Sequence, residues 1–171
     1  MEGCVGCLET ERMGLLQLKS YLKNGFKVEE ESMMRSWSHD DPSSDCCHWK
    51  RVKCKDAAGG HVVHLSLDGL IPANPELENQ SLNLSFLHSF PQLQSLDFSD
   101  NKFSDLFDPI NGLENLVELE VLNLAGNTFN HVKPIQDMLM LQDLDLSGNE
   151  FTDLDRLGKM VIYISSKKEE T

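Results

Sequence analysis

One eleven-residue pattern occurs three times in this chain and limits its fold more than any other feature. It reads L-x-x-L-x-(L/F)-x-x-N-x-F, and its copies begin at Leu93, Leu119 and Leu141. Leucines at every second position predict a short strand with one buried face, and the asparagine that follows predicts a turn. One such unit cannot bury its apolar side chains alone, so we expect the copies to stack on one another.

The spacing of the copies predicts the architecture, because the pattern is the signature of a leucine-rich repeat. Residues 62–70 fit its strand half, with Leu65 in the position of Leu96, Leu122 and Leu144. These leucines are 31, 26 and 22 residues apart, close to the roughly 20–29 residues of this repeat class. The predicted fold class is an α/β leucine-rich-repeat solenoid, a short curved stack in which an N-terminal helical disulfide cap precedes about four parallel strands. These strands are predicted near residues 63–68, 94–99, 120–125 and 142–147.

Composition divides the chain into three segments. Residues 1–60 form the predicted cap, where residues 8–24 show the apolar stripe of an amphipathic helix and Trp37 needs a buried site against it. Residues 61–157 contain the predicted repeats. Residues 158–171 are predicted to be an irregular tail, within which Met160 to Ile164 offers an edge strand.

Cysteine usage and charge limit the cellular context and the partners. All five cysteines lie in the cap and predict disulfides in an oxidising compartment, with one thiol left over: Cys4, Cys7, Cys46, Cys47 and Cys54. The formal charge of −13 argues against nucleic acid as a partner, because that needs a basic face. The sequence shows no apolar run of membrane-helix length and no signal peptide at its start, so the predicted secretion requires a leader outside this sequence.

The strand alternation assigns roles to the side chains of the repeats. Asn101, Asn127 and Asn149 are predicted to be structural asparagines, whose amides bond backbone groups of adjacent turns. The outward side chains form the concave face, a surface that solenoids offer to large partners, although a merely solvated sheet has the same pattern. The candidate ligand-facing residues on it are Ser95, Asp97, Ser99, Val121, Asn123, Ala125, Asp143, Asp145 and Ser147.

No catalytic, cofactor or metal site is predicted. Cysteines and histidines near the cap include zinc-ligand types, but their spacing fits no paired metal motif: Cys47, His48, Cys54, His61 and His64. The sequence also contains neither a glycine-rich phosphate loop nor a Gly-x-Ser-x-Gly motif. Two sequons, at Asn79 and Asn83, predict glycosylation if the chain is secreted.

The cap and the repeats together resemble one known family, the plant extracellular leucine-rich-repeat receptors, and most closely the receptor-like proteins that lack a kinase domain. The resemblance is carried by the run from Cys7 to Lys19, by Trp37 and by the segment Asp45 to Cys54. It implies disulfides Cys7–Cys46 and Cys47–Cys54, with Cys4 free. This sequence departs from the family at Arg51, where a glycine is usual, and its repeats lack the plant-type Gly-x-Ile-Pro turn.

The resemblance also implies a function: recognition of peptide or microbial ligands outside the cell or at the plasma membrane, in defence or development, with signalling through partner receptor kinases. Two alternatives stay open at this point. One is a soluble secreted inhibitor or decoy resembling the polygalacturonase inhibitors. The other is a non-functional truncated gene product, in which the unsupported end near residues 160–164 would leave core leucines exposed.

Overall fold

A computed structural model of the 171-residue chain describes residues 6–28, 34–38, 44–56, 60–72, 80–107, 115–131, 140–151 and 161–163. The cap begins with helix α1, Glu9–Phe26, which extends the predicted helix by two residues at its C-terminal end. Lys27 ends it in the left-handed conformation, the usual way in which a helix terminates. The apolar stripe predicted from the sequence is buried, including Leu15, Leu18 and Leu22.

Trp37 lies at the centre of the cap, in a buried site of the kind that the sequence predicts. Its side chain is fully buried and stacks on Trp49, with ring centroids 6.0 Å apart. Its indole N–H donates to the carbonyl of Lys50 at 2.9 Å, while its own carbonyl accepts from the ammonium of Lys19 at 2.6 Å. Disulfides Cys7–Cys46 and Cys47–Cys54, the pairs that the resemblance implies, close the cap. Cys4 lies outside the described residues.

The main sheet of the described residues has six strands in the order β1-β2-β4-β6-β7-β8. Their bounds are β1 Val52–Cys54, β2 Val62–Ser66, β4 Ser95–Asp97, β6 Val121–Asn123, β7 Asp143–Asp145 and β8 Val161–Tyr163. β1 is antiparallel to β2, and every later pair is parallel. The leucine-rich-repeat stack predicted from the periodicity is therefore present, and its inward leucines Leu65, Leu96, Leu122 and Leu144 lie in one register.

The last strand of the sheet lies where the sequence offers an edge strand, between Met160 and Ile164. Strand β8 pairs in parallel with β7, so five strands of the described residues are parallel, one more than the leucine pattern supplies. Three residues of high strand propensity can satisfy the free edge of β7 without matching the leucine pattern of a repeat.

A second, two-stranded sheet was not predicted. Strand β3, Gln80–Asn83, pairs in parallel with β5, Phe103–Phe107. Strand β3 follows β2 along the chain and β5 follows β4. Each of these two turns of the solenoid therefore contributes one strand to each sheet. Within the insertion that lengthens the first repeat, residues 71–83, Gln80–Asn83 therefore form regular structure.

The cap joins the repeats by close packing of α1 on a short 3-10 helix, Ser85–Ser89. Gly14 makes this approach feasible, because a Cβ at that position would lie only 2.5 Å from the Cβ of Ser89. Tyr21 adds a hydrogen bond at the same junction, where its hydroxyl accepts from the backbone N–H of Asn83 at 3.1 Å. The cap and the first repeat consequently share one core.

The asparagine column holds adjacent turns together in the way that the sequence predicts. The Oδ1 atom of Asn127 accepts from the N–H of Phe103 at 3.0 Å. Its Nδ2 atom donates to the carbonyls of Phe98 and Leu124 at 2.9 and 3.0 Å. Equivalent bonds connect the other two amides to backbone groups of their own and the preceding turn, at Leu67, Phe98, Leu70 and Ile71 for Asn101 and at Leu124, Leu146 and Phe129 for Asn149.

Candidate interaction surface

The register of the parallel strands aligns the outward side chains of the concave face in two rows. The first row places Ser95, Val121 and Asp143 side by side, and β1 and β2 extend it with Lys53 and His64. Val121 is 37% exposed, an unusual position for an aliphatic side chain in the middle of a polar row. The first row therefore presents chemically distinct groups in a fixed order.

The second row consists of Ser66, Asp97, Asn123 and Asp145. Much of its polar capacity is used within the fold. One side-chain oxygen of each of the last three residues accepts from the backbone N–H two residues further along, at 2.8 to 3.0 Å. Such Asx turns stabilise the exit from a strand. The polar side chains of the second row therefore form turns first, and they have less hydrogen-bonding capacity left for a ligand.

The remaining predicted residues, Ser99, Ala125 and Ser147, lie in these turns. Ser99 corrects the sequence assignment, because it is buried rather than ligand-facing. Its hydroxyl donates to the carboxylate of Asp97 at 2.7 Å. The turn folds Ser99 back over the strand end, which simple in-out alternation cannot reveal. Ala125 and Ser147 are partly exposed.

The backbone and contacts of Arg51 show how this chain accommodates an arginine where the family usually has a glycine. Its φ of +72° lies in the left-handed region that favours glycine. The guanidinium bonds the carboxylate of Asp68 at 2.7 Å and the carbonyl of Ser66 at 3.1 Å. Burial raises the pKa of Asp68, but the Ser66 hydroxyl and the Arg51 charge outweigh it and hold the pKa below its ordinary value. An ion pair at the β1 end thus accompanies a backbone conformation that costs about 1 kcal/mol for a non-glycine residue.

His64 is the titratable group in the first row whose environment alters its proton affinity most clearly. Partial burial, and then the neighbouring Lys53 ammonium, lower the pKa of His64 below its ordinary value, against the opposing effect of Asp97. The imidazole is therefore neutral at pH 7 and gains a charge on acidification. Sequence reasoning considered His64 only as a zinc ligand, since its place on the concave face depends on the register of β2.

A buried carboxylate connects the cap to the first repeat. Glu11 on α1 is fully buried, and it accepts from the backbone N–H of Val62 at 3.0 Å and pairs with His61 at 3.1 Å. Burial raises the pKa of Glu11 above its ordinary value of 4.5, although these two contacts lower it in part. The native state therefore holds the Glu11 proton more tightly than the unfolded chain does.

This raised pKa predicts a pH-dependent stability. The contribution of Glu11 to the free energy of unfolding is fully present below pH 4.5 and is lost as the pH rises through the raised value. We expect wild type to lose stability relative to Glu11→Gln across that window, because glutamine keeps an acceptor without the buried charge. Urea unfolding of both proteins at a series of pH values between about 4 and 7 measures the difference. A difference that stays constant with pH would contradict the assignment.

The other candidate sites from the sequence have simpler outcomes. Cys47 and Cys54 are joined to each other, so neither offers a thiolate to a metal, and no metal-binding cluster occurs within the described ranges. Of the two sequons, Asn79 lies outside the described residues. Asn83 ends β3 and accepts from the N–H of Ser85 at 2.9 Å. Its glycosylation stays a prediction.

None of the helices in the described segments has the length and apolar character needed to cross a membrane.

Comparisons with known proteins identify the family. A profile for the leucine rich repeat N-terminal domain matches residues 8–55, and one for the leucine rich repeat matches residues 92–116 and 140–160. Receptor-like protein 1 of Arabidopsis thaliana is 53% identical over 139 residues, which cover 77% of this chain and 13% of that protein. The chain spans only about 13% of the length of the curated relatives it matches.

Solved structures agree on the fold. A plant ice-binding protein matches with a TM-score of 0.60 and 26% identity, covering 84% of this chain and 41% of that one. The Arabidopsis thaliana receptor kinase HAESA, in complex with the peptide hormone IDA and the co-receptor SERK1, matches with a TM-score of 0.58 and 22% identity, covering 92% of this chain and 30% of that one. With its N-terminal cap, its repeats and its relatives, this chain belongs to the plant leucine-rich-repeat receptor-like protein family.

Proposed function

We propose that this chain is a non-catalytic recognition module that binds a peptide or protein ligand on the concave face. The observation that carries the proposal is the row of outward side chains held in register across β1, β2, β4, β6 and β7. The core uses none of this row, since the inward leucines fill the opposite side of the sheet. A rigid array of polar and apolar groups on regular strands is suited to selective binding.

The proposal extends to location and partners. Two disulfides in a cap of this size support an oxidising environment, outside the cell or at the plasma membrane. Similarity to Receptor-like protein 1 supports a receptor role. The fold shared with HAESA, whose structure contains a peptide hormone and a co-receptor, supports sensing of peptide or microbial ligands in defence or development, with signalling through a partner receptor kinase.

A peptide library tests this function. The chain, secreted from plant cells, is exposed to displayed seven-residue peptides, and the affinities of selected binders are measured by isothermal titration calorimetry. Val121→Lys is expected to weaken binding at least tenfold, because it places a charge where the row has an apolar group. Glu150→Lys serves as the matched control, since Glu150 is exposed in the turn after β7 and lies outside the row.

The outcomes separate the competing functions. Selected peptides whose affinity falls with Val121→Lys and not with Glu150→Lys support concave recognition. Equal affinities for wild type and Val121→Lys, or no binders at all, would refute it. Inhibition of a polygalacturonase by a chain that binds no peptide would favour the inhibitor hypothesis instead.

A further inference from the structure

The first row of the concave face changes charge along its length. It begins with the ammonium of Lys53 on β1 and the imidazole of His64 on β2, passes Ser95 on β4 and Val121 on β6, and reaches the carboxylate of Asp143 on β7, next to Val161 on β8. A chain with a net charge of −13 thus has a basic group at the β1 limit of this row and an acidic group on β7.

The side chains of Lys53 and Asp143 in this row are available, unlike most of their neighbours. Within the described part of the chain, neither Lys53 nor Asp143 has a side-chain hydrogen bond or ion pair. In contrast, Arg51 is paired with Asp68, and the second-row oxygens of Asp97 and Asp145 accept from turn N–H groups. The first row is therefore the part of the concave face that carries an unused basic charge on β1 and an unused acidic charge on β7.

We propose that the first row binds an extended peptide segment with three complementary groups: a carboxylate over Lys53 and His64, an apolar side chain over Val121 and a basic side chain over Asp143. This inference rests on the proposed function and specifies its ligand class. Each group on the protein then meets its chemical complement, and each like-charged alternative is disfavoured.

The strand spacing sets the positions of these groups along the ligand. Neighbouring strands are about 4.8 Å apart, so Lys53 and Val121, on strands separated by three such steps, are about 14 Å apart. An extended peptide advances about 3.3 Å per residue. The ligand therefore carries its acidic residue about four positions from its apolar residue. The basic residue follows one or two positions further, because β6 and β7 are adjacent.

Acidification provides a second signature. His64 faces Lys53 on β1 and Asp97 on β4, and it is neutral at pH 7. When it gains a proton as the pH falls through its lowered pKa, the basic end of the row carries two charges, so the acidic ligand binds more tightly there than at pH 7. His64→Gln is expected to abolish this increase.

Synthetic seven-residue peptides test the proposal. The probe has glutamate first, leucine fifth and lysine last, with serine and glycine between, and its affinity for the full chain is measured by isothermal titration calorimetry. A spacing control moves leucine to the third position. Lys53→Glu and Asp143→Lys are each expected to weaken the probe about fivefold, the effect of about one exposed ion pair. Lys50→Glu and Glu150→Lys, exposed charges outside the row, leave it unchanged.

The double variant Lys53→Glu/Asp143→Lys gives the decisive reading, because it is expected to prefer a probe with the two end charges exchanged. Failure to switch preference, or equal binding of the spacing control, overturns the inference. Library peptides that bind through Val121 without any charge pattern would overturn it while leaving the proposed function intact. No peptide binding by wild type in either assay would refute both. Because the substituted side chains are exposed or partly exposed, urea unfolding is expected to stay within about 0.5 kcal/mol of wild type.

Discussion

Asn127→Ala is expected to lower the free energy of unfolding by about 3 kcal/mol. The amide is buried, and it satisfies the N–H of Phe103 and the carbonyls of Phe98 and Leu124. Alanine would leave the buried N–H of Phe103 without its acceptor, which costs about 1–3 kcal/mol. It would also remove one of two amide donors from each carbonyl, because Phe98 still accepts from Asn101 and Leu124 still accepts from Asn149. Urea unfolding monitored by circular dichroism measures the loss.

Asn123→Ala is the matched control. Asn123 lies four residues earlier and is partly exposed. Among the described residues, its side chain bonds the N–H of Ala125 and the carboxylate of Asp97. Water can replace both partners, so we expect a loss below about 1 kcal/mol. Equal losses for the two variants would show that the asparagine column does not hold the turns together.

Trp37→Ala is the second large effect, with an expected loss of about 3–5 kcal/mol. The side chain is fully buried, it stacks on Trp49, and its N–H satisfies the carbonyl of Lys50. Alanine would open a cavity in the middle of the cap and leave that carbonyl without its partner. Because the chain contains two tryptophans, circular dichroism rather than fluorescence should follow unfolding.

Trp37→Phe separates packing from hydrogen bonding. It retains most of the ring but not the donor, so we expect a loss of about 1–3 kcal/mol. If Trp37→Ala destabilised the cap but left the sheet transition unchanged, cap and repeats would unfold separately. The shared core around Gly14 and Ser89 predicts one cooperative transition instead.

The periodic part of the fold could be predicted because each position has one physical role. Leu96, Leu122 and Leu144 recur with the alternation of a strand, and the three asparagines recur where the chain must turn. Strand β3 could not be predicted in this way. It lies within the insertion of the first repeat, and its partner β5 supplies the register that makes it a strand.

The candidate site was predictable only in outline. In-out alternation indicates Ser95, Val121 and Asp143 as outward residues, and the strand register aligns them in a row. The same alternation treats Ser99 as exposed and cannot show that Asp97 is engaged in a turn. Lys53 and His64 were missed as members of the concave face. Their signal was the basic segment Lys50 to Lys55 in an acidic chain, whose position depends on the antiparallel pairing of β1 with β2.

A glycan placed on the concave face tests the central claim most directly. Ala125→Ser creates the sequon Asn123-Leu-Ser at a partly exposed position in the second row, while Ala125→Gly changes the same residue without creating one. Secreted chains are checked for the added glycan by mass spectrometry, and their affinities for library-selected peptides are then compared. The account predicts at least tenfold weaker binding by the glycosylated Ala125→Ser chain and unchanged binding by Ala125→Gly. Undiminished binding by the chain with a glycan on Asn123 would contradict it.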